Sequence, residues 1–274
     1  MTTTRTYDID AIVAAVRTVG DGIAAALPGV PRPVGRAAMF AAFASVDDPA
    51  AARLRALLAA IHPEVAWADE DELDTAAQRD AAGGGTSGPR WVCDAVDGAV
   101  QALAGIPAWA TTLALVDGGR TELAVVYAPE YDELYHAVAG CGAWLNGVPI
   151  APTGTSALGE AIVAHTHVPF QAGHPEDIAR TAASLGAVLP RAFAVRNLGP
   201  TALQIAWVGA GKLDAFWEFG TDLHNWLAGA LIAAEAGAMV TGPRGEPFGP
   251  RVAGLCVATP GVHRELAGVL AGVE

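Results

Sequence analysis

Three closely spaced apolar segments in the middle of the chain constrain its fold more than any other feature. Residues 111–116 and 122–127 are largely apolar and are separated by Asp117-Gly118-Gly119, a combination typical of a β-hairpin. Residues 133–138 form a third such segment after a short connection. Because antiparallel strands can be joined by short turns whereas parallel strands need a long crossover, the sequence predicts a three-stranded β-meander.

Helical patterns flank this meander. Apolar residues at helical spacing predict a first helix from Ile9 to Leu27, with Asp8 placed to cap it. Asp48-Pro49 has the form of a helix start, so a second helix is expected to begin there and to end before His62. The other predicted elements are strands near residues 65–68, 192–195 and 213–217, helices near 177–185 and 201–208, a helical segment through Glu235, strands around Met239 and Cys256, and a closing helix to Leu270.

The length and charge of the chain limit its organisation and its partners. With 274 residues, it is near the limit of about 250–300 residues for one hydrophobic core, so one large domain or two tightly joined lobes is expected. Its 16 basic and 29 acidic residues give a net charge of −13, which opposes binding to nucleic acid and to anionic membrane surfaces. We therefore expect neither as a partner.

The N-terminal segment favours a cytoplasmic location, and the cysteines do not predict a structural framework. Residues 1–10 lack the basic and apolar segments of a secretory signal, and the chain has no uninterrupted apolar run of about 18 residues that would predict a membrane span. Cys93, Cys141 and Cys256 are odd in number and widely spaced, which offers neither a disulfide framework nor a zinc-binding pair.

The segment Asp94-Ala95-Val96-Asp97-Gly98-Ala99 is the strongest candidate for chemistry. It follows the apolar run Trp91-Val92-Cys93, so two carboxylates lie where a strand is expected to end. Residues 99–103 can begin a helix, and the free N–H groups of a helix N-terminus attract anions. Carboxylates beside such a helix suit a cation that bridges to phosphate. The same pattern also occurs in ordinary surface turns, in which Asp and Gly are favoured.

Three further segments place polar side chains at the ends of predicted elements. Asp69-Glu70-Asp71 follows the strand near residues 65–68, and Glu218 follows the strand near 213–217. His224-Asn225 leads the helical segment that reaches Glu235. In this order the segments resemble the inositol monophosphatase family of magnesium-dependent, lithium-sensitive phosphatases, whose hallmark Asp-Pro-Ile/Leu-Asp-Gly-Thr is followed with changes by residues 94–99.

The resemblance covers roughly residues 63–256 and includes a meander similar to residues 125–147. It implies an α/β fold with the family's layered α/β/α/β/α sandwich, and commonly a homodimer. A single domain is expected over residues 1–274, with a lobe of helices and meander over about 1–150 and an α/β lobe over about 151–274.

The resemblance also implies roles for individual residues. The metal ligands would be Glu70, Asp94, the backbone carbonyl of Val96, Asp97 and, at a second cation, Asn225. Two or three Mg²⁺ ions bind in the family, and Mg²⁺ prefers hard oxygen ligands of this kind.

Phosphate and substrate contacts follow from the same resemblance. The backbone N–H groups of Gly98 and Ala99 would bind phosphate, and substrate hydroxyl groups would contact Asp97, Thr201 and Glu218. The catalytic set implied is Glu70, Asp94, Asp97 and the residue at position 99, which is Ala99 here.

Three departures from the family pattern affect the expected chemistry. Ala99 replaces a threonine whose hydroxyl helps to position the attacking water, and Asn225 replaces an aspartate that binds the second cation. A neutral amide oxygen binds a cation less tightly than a carboxylate does. Ala95 replaces the proline of the hallmark, which loosens the turn. Asp47 could match the acidic partner of the missing threonine, although Asp47-Asp48-Pro49 is explained equally well as a helix cap.

Three functions remain compatible with these residues. The first is a Mg²⁺-dependent phosphomonoesterase acting on a small phosphorylated polyol or sugar, weakened by Ala99 and Asn225. The second is a catalytically impaired homologue that serves as a ligand-binding or regulatory protein. The third is an enzyme that uses the same pocket for chemistry other than phosphate release.

Overall fold

The computed structural model describes residues 7–68, 88–167 and 175–273 of the chain. The N–H of Ala11 donates to Asp8 Oδ1 at 3.0 Å, which confirms Asp8 as the cap of the first helix. The helices within the described ranges are α1 (Ile9–Ala26), α2 (Arg36–Ile61), α3 (Ala99–Ala104), α4 (Pro175–Val188), α5 (Thr201–Gly209), α6 (Leu223–Ala236) and α7 (Pro260–Leu270).

The predicted meander lies within a seven-stranded sheet whose strand order follows the chain order. The first two strands pair in parallel, and the following neighbours pair antiparallel. The strands of this sheet are β1 (Ala66–Trp67), β2 (Arg90–Asp97), β3 (Ala110–Asp117), β4 (Arg120–Ala128), β5 (Glu133–Val138), β6 (Gly142–Leu145) and β7 (Val148–Pro149).

A second sheet of five strands has the order β11-β12-β10-β8-β9. Its members are β8 (Ile162–His165), β9 (Ala194–Arg196), β10 (Ala215–Phe219), β11 (Met239–Thr241) and β12 (Gly254–Ala258). Strand β8 pairs in parallel with both β9 and β10, whereas β12 pairs antiparallel with β10 and β11. The crossovers that parallel neighbours require contain α4 and α5.

Three buried clusters arrange these elements in five layers. One lies between α1, α2 and the first sheet and includes Leu54 and Leu113. A second cluster surrounds α5 and α6, which lie between the first and the second sheet, and it includes Val126 and Phe216. The third covers the far face of the second sheet with α4 and α7, and it includes Leu266. The order helix, sheet, helix, sheet, helix confirms the expected α/β/α/β/α sandwich.

The second helix begins earlier than the sequence predicted. Helix α2 runs continuously over 26 residues and contains Pro49, so the prediction that Asp48-Pro49 starts it is wrong. A proline inside a helix removes one backbone hydrogen bond. Val46, Ala50 and Leu54 are buried on both sides of Pro49, and this packing maintains the helix across it.

Helix α1 is apolar but is an element of the layered core. With the turn after it, it forms the 21-residue segment Ile9–Gly29, which contains an 18-residue window with a mean hydropathy of 1.4 and is long and apolar enough, by length and composition, to cross a membrane. In the structure, Ile12 and Val16 are buried against the first sheet, while Arg17 pairs with Asp132 at 3.0 Å. The apolar face of α1 is therefore covered by the rest of the protein.

Candidate active site

The carboxylates of the predicted motif lie at the end of β2. The N–H of Val96 donates to Asp94 Oδ1 at 2.8 Å, and Thr111 Oγ1 donates to the carbonyl of Ala95 at 2.9 Å. The register between β2 and β3 shifts between Asp94 and Asp97, so the strand is irregular between the two carboxylates. These two hydrogen bonds hold the turn although alanine stands where the family hallmark has proline.

Asp97 joins the end of β2 to the N-terminus of α5. The N–H of Thr201 donates to Asp97 Oδ1 at 3.0 Å, and the N–H of Ala202 donates to Oδ2 at 2.8 Å. A carboxylate in this position satisfies N–H groups that have no partner within the helix and interacts favourably with the helix dipole. Asp97 therefore connects the first sheet to the central helical layer.

Burial controls the ionisation of Asp97, which is only 4% exposed. Removal from water raises the pKa of Asp97 to about 7, although the N–H groups of Thr201, Ala202 and Leu203 lower it by stabilising the charged form. A nearby cation also favours the charged form of a carboxyl group. Asp97 is thus an acid whose negative charge would be stabilised by a bound metal ion.

Gly98 makes the turn from β2 into α3 with a φ of +90°. A Cβ at this position would lie 2.9 Å from the carbonyl oxygen of Ala108 and 3.1 Å from Cβ of Pro200. Helix α3 has six residues, so its dipole is small. Any anion binding would rest on the N–H groups of its first turn, which have no partner within the helix.

Ala99 is half-buried, and its methyl group packs against the cluster that α1 and α2 form with the first sheet. Asp47 is half-buried within α2, the helix that packs against α3. The interpretation of Asp47-Asp48-Pro49 as a helix cap is wrong, because these residues lie in the middle of α2. The pairing of Asp47 with residue 99 stays a prediction.

Glu218 is buried on β10 beside an indole. It is 1% exposed, and Trp226 Nε1 donates to its Oε2 at 2.7 Å. Within the described part of the chain, Oε1 is buried and has no hydrogen-bond partner. Burial raises the pKa of Glu218 well above its usual value, and the charges of Asp222 and Asp97 raise it further. A buried oxygen without a partner is unfavourable, which suits an atom that contacts a ligand.

Asn225 lies in the first turn of α6, and Asp222 is the N-cap residue of this helix. Asn225 Nδ2 donates to Asp222 Oδ1 at 2.9 Å. The other end of the amide, Oδ1, is buried and finds no hydrogen-bond partner among the described residues. An amide carries donors at one end and an acceptor at the other, so the bond to Asp222 leaves the acceptor for a ligand.

The ends of three elements converge in this region. The charges of Asp97 on β2 and Asp222 before α6 both act on Glu218 of β10. In residues 7–68, 88–167 and 175–273, no group of three His, Cys, Asp or Glu side chains is arranged to hold a metal ion. Glu70, a metal ligand by the resemblance, lies outside the described residues, as does most of the glycine-rich segment 82–89.

Thr201 reaches the site through its backbone, since its N–H binds Asp97. Ala202, Trp226 and Asp222 also contribute, although no motif in the sequence predicts them. Ala202 contributes a backbone N–H, for which no side-chain pattern exists. Trp226 and Asp222 lie within two or three residues of the predicted His224-Asn225, and that proximity was the available signal.

A cavity of about 330 Å³ lies elsewhere, near the C-terminal end of α3. Its lining includes Leu27, Arg32, Trp109 and Glu130. Asp97 and Gly98 are at the opposite end of α3. The cavity is therefore separate from the carboxyl groups described above.

Sequence comparisons relate the chain to known proteins. The sequence model of the inositol monophosphatase family matches residues 40–272. The "Inositol-1-monophosphatase" of Mesorhizobium japonicum is 34% identical over 164 residues, which are 60% of each chain. The "Nus factor SuhB" of Pseudomonas aeruginosa is 34% identical over 151 residues, 55% of each chain, and that of Escherichia coli K12 is 36% identical over 153 residues, 56% of each chain. The chain thus spans 55% to 60% of the length of these curated relatives.

Solved structures show the same fold over nearly the whole chain. The inositol monophosphatase of Anabaena superposes with a TM-score of 0.81 at 22% identity, covering 97% of this chain and 96% of its own. Mycobacterium tuberculosis SuhB superposes with a TM-score of 0.73 at 28% identity, covering 95% and 97%. The layered architecture is therefore shared with these proteins.

Proposed function

Because the chain belongs to the inositol monophosphatase family, we propose that it is a Mg²⁺-dependent phosphomonoesterase that acts on a small phosphorylated polyol or sugar. The family consists of phosphatases that generally depend on Mg²⁺. The proposal includes slow turnover, since Ala99 and Asn225 replace a threonine and an aspartate of the family pattern.

The convergence of Asp97 and Glu218 is the observation that carries this proposal. Both carboxyl groups are at most 4% exposed, and the charge of Asp97 raises the pKa of Glu218. Two acids buried close together destabilise one another unless a ligand compensates for their charge. A cation and a hydroxyl-rich substrate would supply positive charge to Asp97 and a hydrogen-bond partner to Glu218.

The donor set fits Mg²⁺. Asp94, Asp97 and the amide of Asn225 offer hard oxygens, and Asn225 Oδ1 is a buried acceptor with no partner among the described residues. By the family pattern, Glu70 and the carbonyl of Val96 would complete the ligands. When bound, Mg²⁺ lowers the pKa of a coordinated water and offsets charge on the phosphoryl group and the leaving oxygen.

The residues of the chain would bind and orient the substrate. The N–H groups of Gly98 and Ala99 would donate to phosphate oxygens. Trp226 donates a hydrogen bond to Oε2 of Glu218, which would leave Oε1 to contact a substrate hydroxyl. Burial raises the pKa of Glu218 and so favours its protonated form, which donates as well as accepts a hydrogen bond.

The residue at position 99 is the main reason to expect slow turnover. The methyl group of Ala99 packs against the apolar cluster beside α1 and α2, and it neither donates nor accepts a hydrogen bond. The attacking water would therefore lack the partner that a threonine hydroxyl supplies. Proton-transfer groups positioned on a reactant contribute about 10²- to 10⁴-fold to rates, so the loss would be large.

Phosphate release from a panel of sugar and inositol phosphates, measured with and without Mg²⁺, tests the proposal. We expect slow release that requires Mg²⁺, and an increase of about 10²-fold or more in the double variant Ala99→Thr/Asn225→Asp. Ala104→Thr makes the same substitution at the other end of α3 and should leave the rate unchanged. Wild-type turnover as fast as that of relatives with the intact motif would contradict the impairment, and no release by either protein would contradict phosphatase activity.

A regulatory or ligand-binding role is a second candidate, favoured by the names of the relatives. Two of the curated proteins above are named Nus factor SuhB, and Ala99 lacks the hydroxyl that catalysis would use. Calorimetric titration with Mg²⁺ and phosphate distinguishes the two functions. Binding of both without release from any substrate, even after Ala99→Thr, would favour the second.

We also propose that the protein is a cytoplasmic homodimer of single-domain subunits. The dimer follows from the family resemblance, and the free thiols of Cys93, Cys141 and Cys256 suit a reducing compartment. Light scattering during size-exclusion chromatography measures the subunit number. A monomer at micromolar concentration would contradict the dimer.

A further inference from the structure

The contact between Asn225 and Asp222 is a feature of this chain that the family pattern does not contain. Asn225 occupies the position of the aspartate that binds the second cation in the family, and Asp222 lies three residues earlier. Asn225 Nδ2 donates to Asp222 Oδ1 at 2.9 Å. The start of α6 thus has a carboxylate next to the position from which one has been lost.

This hydrogen bond orients the amide of Asn225. Its nitrogen end is held by Asp222, and its oxygen end, Oδ1, is buried and accepts no hydrogen bond from the described residues. A carboxylate that binds the N–H side of a ligand group fixes its orientation and makes its acceptor more basic, as outer carboxylates do for metal-binding imidazoles. Asp222 would therefore strengthen Asn225 Oδ1 as a neutral ligand.

The charge of Asp222 also reaches the site. It acts on Glu218, a side chain that is 1% exposed and whose Oε1 has no hydrogen-bond partner in the described part of the protein. Asp222 is therefore close enough to contribute negative potential where Glu218 and Asn225 each leave an oxygen for a ligand.

On the basis of the proposed function, we propose that Asp222 is a positioning residue that supplies the negative charge missing at Asn225 and directs the amide oxygen to the second divalent cation. From behind the ligand position, Asp222 then supplies the negative charge that a carboxylate at position 225 would carry. Loss of such an outer carboxylate weakens metal binding by about 10- to 100-fold in other proteins.

Titration of the full chain with Mn²⁺, followed by electron paramagnetic resonance of the free ion, measures this effect without reference to activity. We expect Asp222→Asn to weaken the most weakly bound Mn²⁺ by about tenfold or more. Adding Asn225→Asp to that variant should restore the affinity, because the charge returns to the ligand position. Asparagine is as good an N-cap as aspartate, so the thermal stability of Asp222→Asn without metal should match that of wild type.

Glu160→Gln is the matched charge control. Glu160 is exposed and precedes β8, at the end of the second sheet opposite to Glu218, so its loss should leave Mn²⁺ affinity unchanged. Equal weakening by Glu160→Gln and Asp222→Asn, or no weakening by Asp222→Asn, would overturn the role of Asp222 while leaving the proposed function intact. A wild-type protein that binds no Mn²⁺ would overturn both.

Discussion

Gly98 connects the last carboxylate of β2 to the first residue of α3, and its backbone conformation excludes other residues. Its φ of +90° lies in the left-handed region, which L-residues with a Cβ adopt at a cost of about 1–2 kcal/mol. The carbonyl of Ala108 and the ring of Pro200 also leave no space for a Cβ. Because Pro200 precedes the helix that Asp97 binds, Gly98 controls how closely β2 approaches α5 at the site.

Gly98→Ala should therefore destabilise the protein more than Gly105→Ala. Gly105 ends the same helix with a φ of +75°, but a Cβ there would meet nothing within 4 Å. Gly105→Ala, the control, measures only the cost of placing a Cβ at positive φ, about 1 kcal/mol. At Gly98 the close contacts of the added Cβ should cost about 1–3 kcal/mol more. Urea unfolding measures both. Equal losses would show that the surroundings of Gly98 relax freely.

The crossing of α5 and α6 sets the geometry at the scale of elements. Gly229 of α6 lies against α5, where a Cβ would be 2.7 Å from the carbonyl of Ala202 and 2.8 Å from Cβ of Ile205. Ala202 also donates its N–H to Asp97. Since Asn225 lies in the first turn of the helix that contains Gly229, the close packing of α5 and α6 determines where Asp97 and Asn225 lie relative to each other.

Gly229→Ala should separate the two helices and destabilise the fold by about 1–3 kcal/mol. Gly268→Ala is a matched control, because Gly268 is an exposed glycine inside α7 with nothing within 4 Å of a Cβ. There the better helix propensity of alanine should stabilise by up to about 1 kcal/mol. If the two helices are tightly packed, chemical denaturation should show a lower free energy of unfolding for Gly229→Ala and a higher one for Gly268→Ala. A stabilising effect of both would contradict it.

Over the whole molecule, buried ionisable groups couple stability to pH in opposite directions. Burial lowers the pKa of His136 and of His165, and His167 lowers that of His165 further. A histidine with a lowered folded pKa contributes stability above its unfolded value of about 6.5 that is lost as the pH falls. The raised pKa of Asp97 acts oppositely, because its ionisation disfavours the folded state as the pH rises from about 4 towards about 7.

The double variant His136→Phe/His165→Phe isolates the histidine part. Both rings stack on tryptophans, with centroids 5.2 Å from Trp144 and from Trp217, and neither Nδ1 has a hydrogen-bond partner in the described structure. Phenylalanine keeps the ring and removes the titration. The difference in melting temperature, variant minus wild type, should be larger at about pH 5.5 than at about pH 7.5. The carboxyl groups are the same in both proteins, so their contributions to this difference cancel. A constant difference would contradict the linkage.

Local signals in the sequence were sufficient for most elements. The third strand of the meander was predicted at residues 133–138, and β5 spans Glu133–Val138. Asp8 caps α1 as predicted, and Asp94 and Asp97 lie at a strand end before a helix. These features depend on residues within a few positions of one another, because turn chemistry, capping and periodicity act over short stretches of chain.

The sequence by itself determined the family, the order of layers and the carboxylates of the motif, whereas tertiary structure decided what those carboxylates contact. Pro49 lies inside α2 because burial on both sides outweighs one lost hydrogen bond. Asp97 accepts hydrogen bonds from the N–H groups of Thr201 and Ala202, which are more than 100 residues away in the sequence. Trp226 of α6 donates a hydrogen bond to Glu218 of β10. Such contacts form only when separate layers pack together, so no local pattern of residues encodes them.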